Sequence, residues 1–251
     1  MYELIKEKLS LLLSREEKVY GMLEFINLMI LKIMFDRGML SSFVLSRGAV
    51  LSTIYGLRDR PASIEFYRTE KSRYTPDETA EIIAYELCNY GLKAEVSSVK
   101  RDDGSEHLQF CFKELARRLG LANNGSADTK FEIIMRNSYS AGWESVITHV
   151  SSSFGFTLRH LDRDSLFAAR LSEFFTCLRS EKGFIKELLW FHSNGIEPNY
   201  LFLKNSFLSA GRGNGRAGID DLISFFGDGP VSRKLKTMVR QTKIPEAVLR
   251  N

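Results

Sequence analysis

The chain of 251 residues has little cysteine, little proline and few histidines, and these shortages exclude several classes of protein. Its three cysteines, Cys88, Cys111 and Cys177, are odd in number and far apart. That spacing argues against a disulfide framework and against a cysteine-type zinc site. The four histidines show no metal-ligand spacing, so neither a zinc site nor a Ser-His triad can be assembled from the sequence.

Long hydrophobic runs are also missing. The longest candidate, 29–45, is interrupted by Lys32, Asp36 and Arg37, whereas a membrane span needs roughly 18 apolar residues. The N-terminal sequence MYELIKEK is followed by no apolar segment with a small-residue cleavage site. We therefore expect a globular protein in the cytoplasm, without a membrane partner.

The net charge is only +4, but the basic residues are unevenly distributed. Eight Lys or Arg residues lie between 212 and 250, against four acidic residues in the same stretch. A basic surface of this kind can bind phosphates, and the alternative explanation is an ordinary solvated helix face.

The segment 43–66, FVLSRGAVLSTIYGLRDRPASIEF, carries the strongest functional signal. Its pattern predicts a strand, a tight glycine turn, a helix, a second turn and a second strand that contains Glu65. An ordinary half-exposed strand, with Ile64 and Phe66 inward and polar residues outward, explains the same alternation.

This segment resembles the opening of the AbiEii-type nucleotidyltransferases, the toxin halves of bacterial abortive-infection and type IV toxin–antitoxin pairs. The family pattern is FKGGTAL, followed by YGL.R.SEDIDF. In this chain 46–51 stands for KGGTAL, the YGL at 55–57 is intact, and 60–66 stands for RFSEDIDF minus one position.

The resemblance implies a nucleotide site with phosphates at the helix N-terminus of Gly48, beside Arg47 and Arg60, and Mg²⁺ on acidic strand residues. The first aspartate of the family's DxD pair is Ser63 here, and the second is Glu65. A neutral serine supplies neither the charge nor the bridging oxygen that a two-metal site needs, whereas glutamate keeps the charge. Ser63 and Glu65 are therefore candidate catalytic residues of a degenerate site.

Glu132 is the candidate for the family's third carboxylate. It lies in the predicted strand 129–135, and we expect Glu65 and Glu132 to occupy neighbouring strands and to share a metal. A surface glutamate is the alternative for Glu132, and Asp59 is an alternative metal ligand.

A second block, SLFAARLSEFF at 165–175, resembles the family's SLFAxKLHALL helix. Arg170 occupies the position of a lysine that the family is thought to use on the triphosphate, and arginine keeps the charge. The stretch 181–191 resembles KGRDxYDLxWF, with Glu187 in place of the second aspartate and Trp190 aligned.

Local signals predict the rest of the fold. Ser14 marks the N-cap of a helix over about 15–36, and Thr75-Pro76 opens a helix that closes near 89–91. A β-hairpin follows within 92–112, and the pattern becomes helical from about 164. We expect an α/β fold, a nucleotidyltransferase-like mixed sheet with flanking helices over 1–160 and a helical C-terminal domain over 161–251.

The function implied by the resemblance is a toxin or phage-defence nucleotidyltransferase with weakened or altered catalysis. If active, it transfers a nucleotide from an NTP, with Mg²⁺ as cofactor, to RNA such as the tRNA 3′ end or to a protein. The alternative is a non-catalytic module that binds a nucleotide, RNA or a partner protein, such as a cognate antitoxin or an operon neighbour. Ser63 distinguishes the two candidate functions. A metal-dependent transferase needs the negative charge of the aspartate that stands at this position in the family pattern, whereas a binding module does not.

Overall fold

The computed structural model describes residues 2–57, 63–69, 73–102, 104–122, 128–137, 142–152, 154–177 and 182–209. Its helices are α1 (Tyr2–Ser10), α2 (Arg15–Asp36), α3 (Gly48–Thr53), α4 (Pro76–Asn89), α5 (Leu115–Arg118), α6 (Arg163–Cys177), α7 (Lys182–Ser193) and α8 (Tyr200–Ser209). Its strands are β1 (Phe43–Ser46), β2 (Ser63–Arg68), β3 (Glu95–Lys100), β4 (Glu106–Phe112), β5 (Thr129–Asn137), β6 (Ser145–Val150) and β7 (Phe156–Leu161).

The strands form one mixed sheet in the order β3-β4-β5-β2-β1-β7-β6. Strand β2 pairs antiparallel with β1 and parallel with β5, and β1 pairs parallel with β7. The hairpin β3–β4 is antiparallel and joins β5 through β4, as the sequence predicted for 92–112. Strands β6 and β7 were not predicted.

Two capping boxes fix the starts of the long helices. In α2 the Ser14 hydroxyl accepts a hydrogen bond from the backbone N–H of Glu17, whose carboxylate accepts one from the N–H of Ser14. Thr75 and Glu78 make the same reciprocal pair at α4, where Pro76 occupies the first turn. Both starts agree with the sequence prediction, because each cap satisfies backbone N–H groups that the helix cannot pair internally.

The two faces of the central sheet have different chemistry. On one face Ile64 registers with Ile133 and Phe66 with Met135, and all four side chains are buried in the core. Side chains alternate along a strand, so the residues between them lie on the opposite face. We call this second set the polar face: Ser46, Ser63, Glu65, His107, Gln109, Glu132 and Arg136.

The chain divides into two compact units. The first contains the described residues up to 137 and those within 147–160, and it includes the polar face. The second contains 142–146 and the described residues from 161 to 209, which form helices α6, α7 and α8. No helix in the described ranges combines the length and the apolarity that crossing a bilayer requires.

Candidate functional site

The turn between β1 and α3 places Arg47 in an unusual backbone conformation. Arg47 precedes the first residue of α3, Gly48, and has φ 60° and ψ −147°. This region of φ/ψ space is adopted almost only by glycine, because a β-carbon there meets its own backbone. The resembled pattern has glycine at this position, and glycine adopts this geometry without strain.

The Arg47 side chain contacts the predicted metal ligand. Its Nη1 lies 2.7 Å from Oε2 of Glu65, and Nε of Arg136 lies 2.5 Å from Oε1 of the same carboxylate. The Glu65 side chain is 6% exposed, against 13% for Arg47 and 22% for Arg136. A carboxylate buried this deeply needs charged partners, and here each of its two oxygens has a guanidinium group.

Strand register brings the other two predicted catalytic residues beside Glu65. Ser63 of β2 is the direct partner of Glu132 in the parallel strand β5, and Glu65 partners Ile134. Directly registered residues point to the same face, so Ser63, Glu65 and Glu132 all lie on the polar face. Their catalytic and metal-binding roles remain a prediction.

Glu132 takes part in a hydrogen-bonded chain that the sequence did not suggest. Its Oε1 lies 3.0 Å from Nδ1 of His107 and accepts a hydrogen bond of 3.3 Å from Nε2 of Gln109. The other ring nitrogen of His107, Nε2, lies 2.9 Å from the buried hydroxyl of Ser105. A neutral imidazole with its hydrogen on Nδ1 satisfies both neighbours, because the serine hydroxyl can donate to Nε2.

This donor set does not fit a divalent cation in the arrangement described. A two-metal site needs several oxygen ligands with uncompensated negative charge. Here Arg47 and Arg136 compensate Glu65, and one oxygen of Glu132 already accepts two hydrogen bonds. Within the described ranges no group of three His, Cys, Asp or Glu residues could hold a metal. The alternative ligand Asp59 and the predicted phosphate contact Arg60 lie outside those ranges.

Arg170, the other predicted phosphate contact, lies on α6 in the second unit. Its Nε donates to Oε2 of Glu187 on α7, and its Nη1 lies 2.8 Å from Oε2 of Glu173, one turn along α6. All three side chains are at most 11% exposed. Arg170 therefore links two helices through buried ion pairs, and its contact with phosphate stays a prediction.

Arg136 and His107 are the site residues that sequence reasoning missed, and a signal for Arg136 was present. It lies four positions after Glu132 on one strand, and an even spacing puts both residues on the same face. His107 and Gln109 alternate in the same way along β4. The pairing of Arg47 with Glu65 could not be found this way, since it depends on the register of β1 against β2.

The mixed sheet with flanking helices, together with its similarity to the two solved structures that follow, shows a nucleotidyltransferase-like fold and confirms the predicted fold class. JHP933 from Helicobacter pylori is similar in structure, with a TM-score of 0.52 and 12% identity over 90% of this chain and 93% of that one. A candidate nucleotidyltransferase from H. pylori gives a TM-score of 0.55 and 13% identity over 94% and 99%. At such identities the likeness establishes the fold alone. No family model and no curated protein matches the chain.

Proposed function

We propose that this chain is a nucleotidyltransferase-fold protein of toxin or phage-defence type whose metal-dependent transfer activity is weak or absent. Its role is to bind a phosphate-bearing ligand, a nucleotide or RNA, through arginine rather than through Mg²⁺. The observation that carries the proposal is the occupation of both Glu65 oxygens by Arg47 and Arg136. The toxin or defence role and a cognate antitoxin as partner rest on the sequence resemblance.

A metal ion at Glu65 competes with the two guanidinium groups for the carboxylate oxygens. Displacing one of them costs a hydrogen bond to a charged group, which is worth about 1.5–3 kcal/mol. That cost corresponds to roughly a ten- to hundredfold loss of metal affinity. Ser63 adds no charge to offset the loss. We therefore expect the wild-type protein to hold Mg²⁺ poorly.

Phosphate binding is supported by the type of side chain in the cluster. Two guanidinium groups, those of Arg47 and Arg136, contact the one carboxylate of Glu65. Arginine presents a planar fork of donors that matches phosphate oxygens. Arg136 is the more exposed of the pair and is the first candidate contact. Arg170 ranks below it, because two buried glutamates already engage its donors.

An active transferase is the second candidate, and one observation favours it. Ser63, Glu65 and Glu132 share the polar face of two neighbouring parallel strands. In that case Glu65 and Glu132 bind the metal, and the nucleotide passes from an NTP to RNA, such as the tRNA 3′ end, or to a protein.

Labelling separates the two candidates. Purified protein is incubated with Mg²⁺, each labelled NTP and total RNA, beside Glu65→Ala and the matched control Glu81→Ala, an exposed carboxylate of α4. We expect no incorporation by wild type above the level of Glu65→Ala. Robust incorporation by wild type and by Glu81→Ala that is lost in Glu65→Ala refutes the proposal in favour of the transferase.

Binding of a fluorescent ATP analogue and of labelled tRNA is then measured by fluorescence anisotropy. We expect Arg136→Ala to weaken binding more than EDTA does, and affinity to fall as salt rises, because phosphate contacts release counterions. The control is Arg117→Ala, an arginine of α5 that is 66% exposed. Binding that EDTA abolishes and Arg136→Ala leaves unchanged contradicts the proposed arginine-based site.

A further inference from the structure

We infer that Arg47 is an internal cation that takes the place of a divalent metal at Oε2 of Glu65 and, together with Arg136, keeps metal away from the polar face. The inference deepens the proposed function and rests on it. It predicts that removing the Arg47 side chain raises the affinity of this face for a divalent cation.

The backbone of Arg47 is strained. Among the described residues, Arg47 and Glu114 are the non-glycine residues with positive φ. Glu114, at φ 58° and ψ 7°, lies close to the ordinary left-handed helical region, whereas Arg47, with ψ −147°, lies where glycine alone is common. A strained conformation persists only when its surroundings fix it, and it clusters at functional sites. The ion pair with Glu65 is one interaction that holds Arg47 there.

The fold places the guanidinium group of Arg47 beside one particular oxygen, Oε2 of Glu65. Ser46, directly before Arg47, registers with Glu65 across the antiparallel pair β1–β2, and its hydroxyl donates to the Glu65 carbonyl at 3.1 Å. This pairing fixes the turn against the carboxylate. The Nη1 of Arg47 then lies 2.7 Å from Oε2 of Glu65, at the distance of a charge-assisted hydrogen bond.

Arg47 and Arg136 hold different oxygens of Glu65, so their removal has different consequences. Arg136 contacts Oε1 from β5, a neighbouring strand of the sheet. Without Arg47, that contact can persist while Oε2 loses its partner. A carboxylate oxygen is then available on the polar face, which also carries Ser63 and Glu132. The substitution Arg47→Gly removes the guanidinium group together with the β-carbon, and glycine adopts the existing φ of this position without strain.

A tethered cation also differs from a metal ion in how it responds to a chelator. The guanidinium group of Arg47 is covalently fixed and cannot be deprotonated under ordinary conditions, so EDTA does not remove it. The charge of Glu65 is therefore balanced at every metal concentration.

The test measures Mn²⁺ binding by electron paramagnetic resonance of the free ion and by calorimetry. It compares wild type, Arg47→Gly, Arg47→Gln and the double variant Arg47→Gly/Glu65→Gln. Loss of one charge-assisted bond predicts Mn²⁺ affinity about ten- to hundredfold higher in Arg47→Gly than in wild type. Arg47→Gln, which keeps most of the side chain without its charge, should show a gain in the same direction. The double variant should return to the wild-type level, because Oε2 is no longer a carboxylate oxygen.

Circular dichroism and thermal melting establish that each variant is folded, and Arg47→Gln provides the comparison if Arg47→Gly does not fold. Folded variants that bind Mn²⁺ no better than wild type overturn the inference, and so does a gain that survives Glu65→Gln. These outcomes are separate from the proposed function. Wild-type protein that lacks transfer activity leaves that proposal standing even when Arg47→Gly gains no metal, whereas active wild-type protein removes both.

Discussion

Backbone strain at position 47 can be isolated from the ion pair by comparing two substitutions, Arg47→Ala and Arg47→Gly. Both remove the guanidinium contact with Glu65 and differ only in the β-carbon. At an ordinary helix or strand position glycine is less stable than alanine by about 0.5–1 kcal/mol. Because Arg47 has φ 60° and ψ −147°, we predict the opposite order here, with the glycine variant the more stable.

The magnitude follows from two opposing terms. A non-glycine residue in this region costs about 1–3 kcal/mol, which Arg47→Gly recovers and Arg47→Ala does not. Glycine also makes the unfolded chain more flexible, which takes back about 0.4–1 kcal/mol. The glycine variant should therefore exceed the alanine variant by about 1–2 kcal/mol. Arg47→Ala itself should fall below wild type by about 1.5–3 kcal/mol, the value of the charged hydrogen bond.

Urea unfolding followed by tryptophan fluorescence and thermal melting by circular dichroism both measure this difference. The expected shift in melting temperature between the two variants is about 2–8 °C, since 1 kcal/mol moves the midpoint by about 2–4 °C at this chain length. The pair Glu81→Ala and Glu81→Gly on the exposed side of α4 is the control, and there alanine should be the more stable. Equal stability at position 47, or alanine ahead of glycine, refutes the claim that Arg47 is strained.

Two further predictions concern α2 and α4. Asn27 of α2 is fully buried, and neither atom of its side-chain amide has a hydrogen-bond partner among the described residues, so Asn27→Leu should stabilise the protein by about 1–3 kcal/mol in urea unfolding. A lower midpoint for Asn27→Leu contradicts this reading. At α4 the backbone N–H and the hydroxyl of Thr75 hold the pKa of Glu78 below its ordinary value of 4.5. A carboxyl group whose pKa is lower in the folded state stabilises the protein at pH values above its unfolded-state pKa. That stabilisation is lost as the pH falls through the folded-state pKa. The stability difference between wild type and Glu78→Gln, measured from pH 7 to 3, should therefore shrink below about pH 4.5, and a constant difference counts against the capping contact.

The sequence predicted those parts of the fold whose causes are local. The caps of α2 and α4 were readable because Ser14 and Thr75 stand three residues before a glutamate. Strand β7 was missed although FTLRHL alternates, with Phe156 and Leu158 buried and their neighbours exposed, so its period was available. The strand order could not be predicted, because β7 pairs with β1 across more than a hundred residues and no local pattern encodes that pairing.

Strand register brings Ser63, Glu65 and Glu132 onto one face, and their functional roles stay a prediction. Sequence reasoning named Glu65 from a motif and treated Arg47 as a separate phosphate contact, because the motif does not indicate which side chains meet. The structure pairs these two residues, so each alters what the other can bind. A charge pair of this kind depends on the register and on a backbone conformation that the residue type argues against.

Strand alternation explains how the polar face can change its chemistry while the fold remains intact. Along β2 the even-numbered residues Ile64 and Phe66 are fully buried in the core, while Ser63 and Glu65 lie on the polar face. A substitution on the polar face therefore removes no core contact, and its cost is limited to the balance of charge and hydrogen bonds there. A buried glutamate left without a cation is the expensive outcome. Arg47 and Arg136 supply the two cations at Glu65, and Arg47 does so from a strained turn.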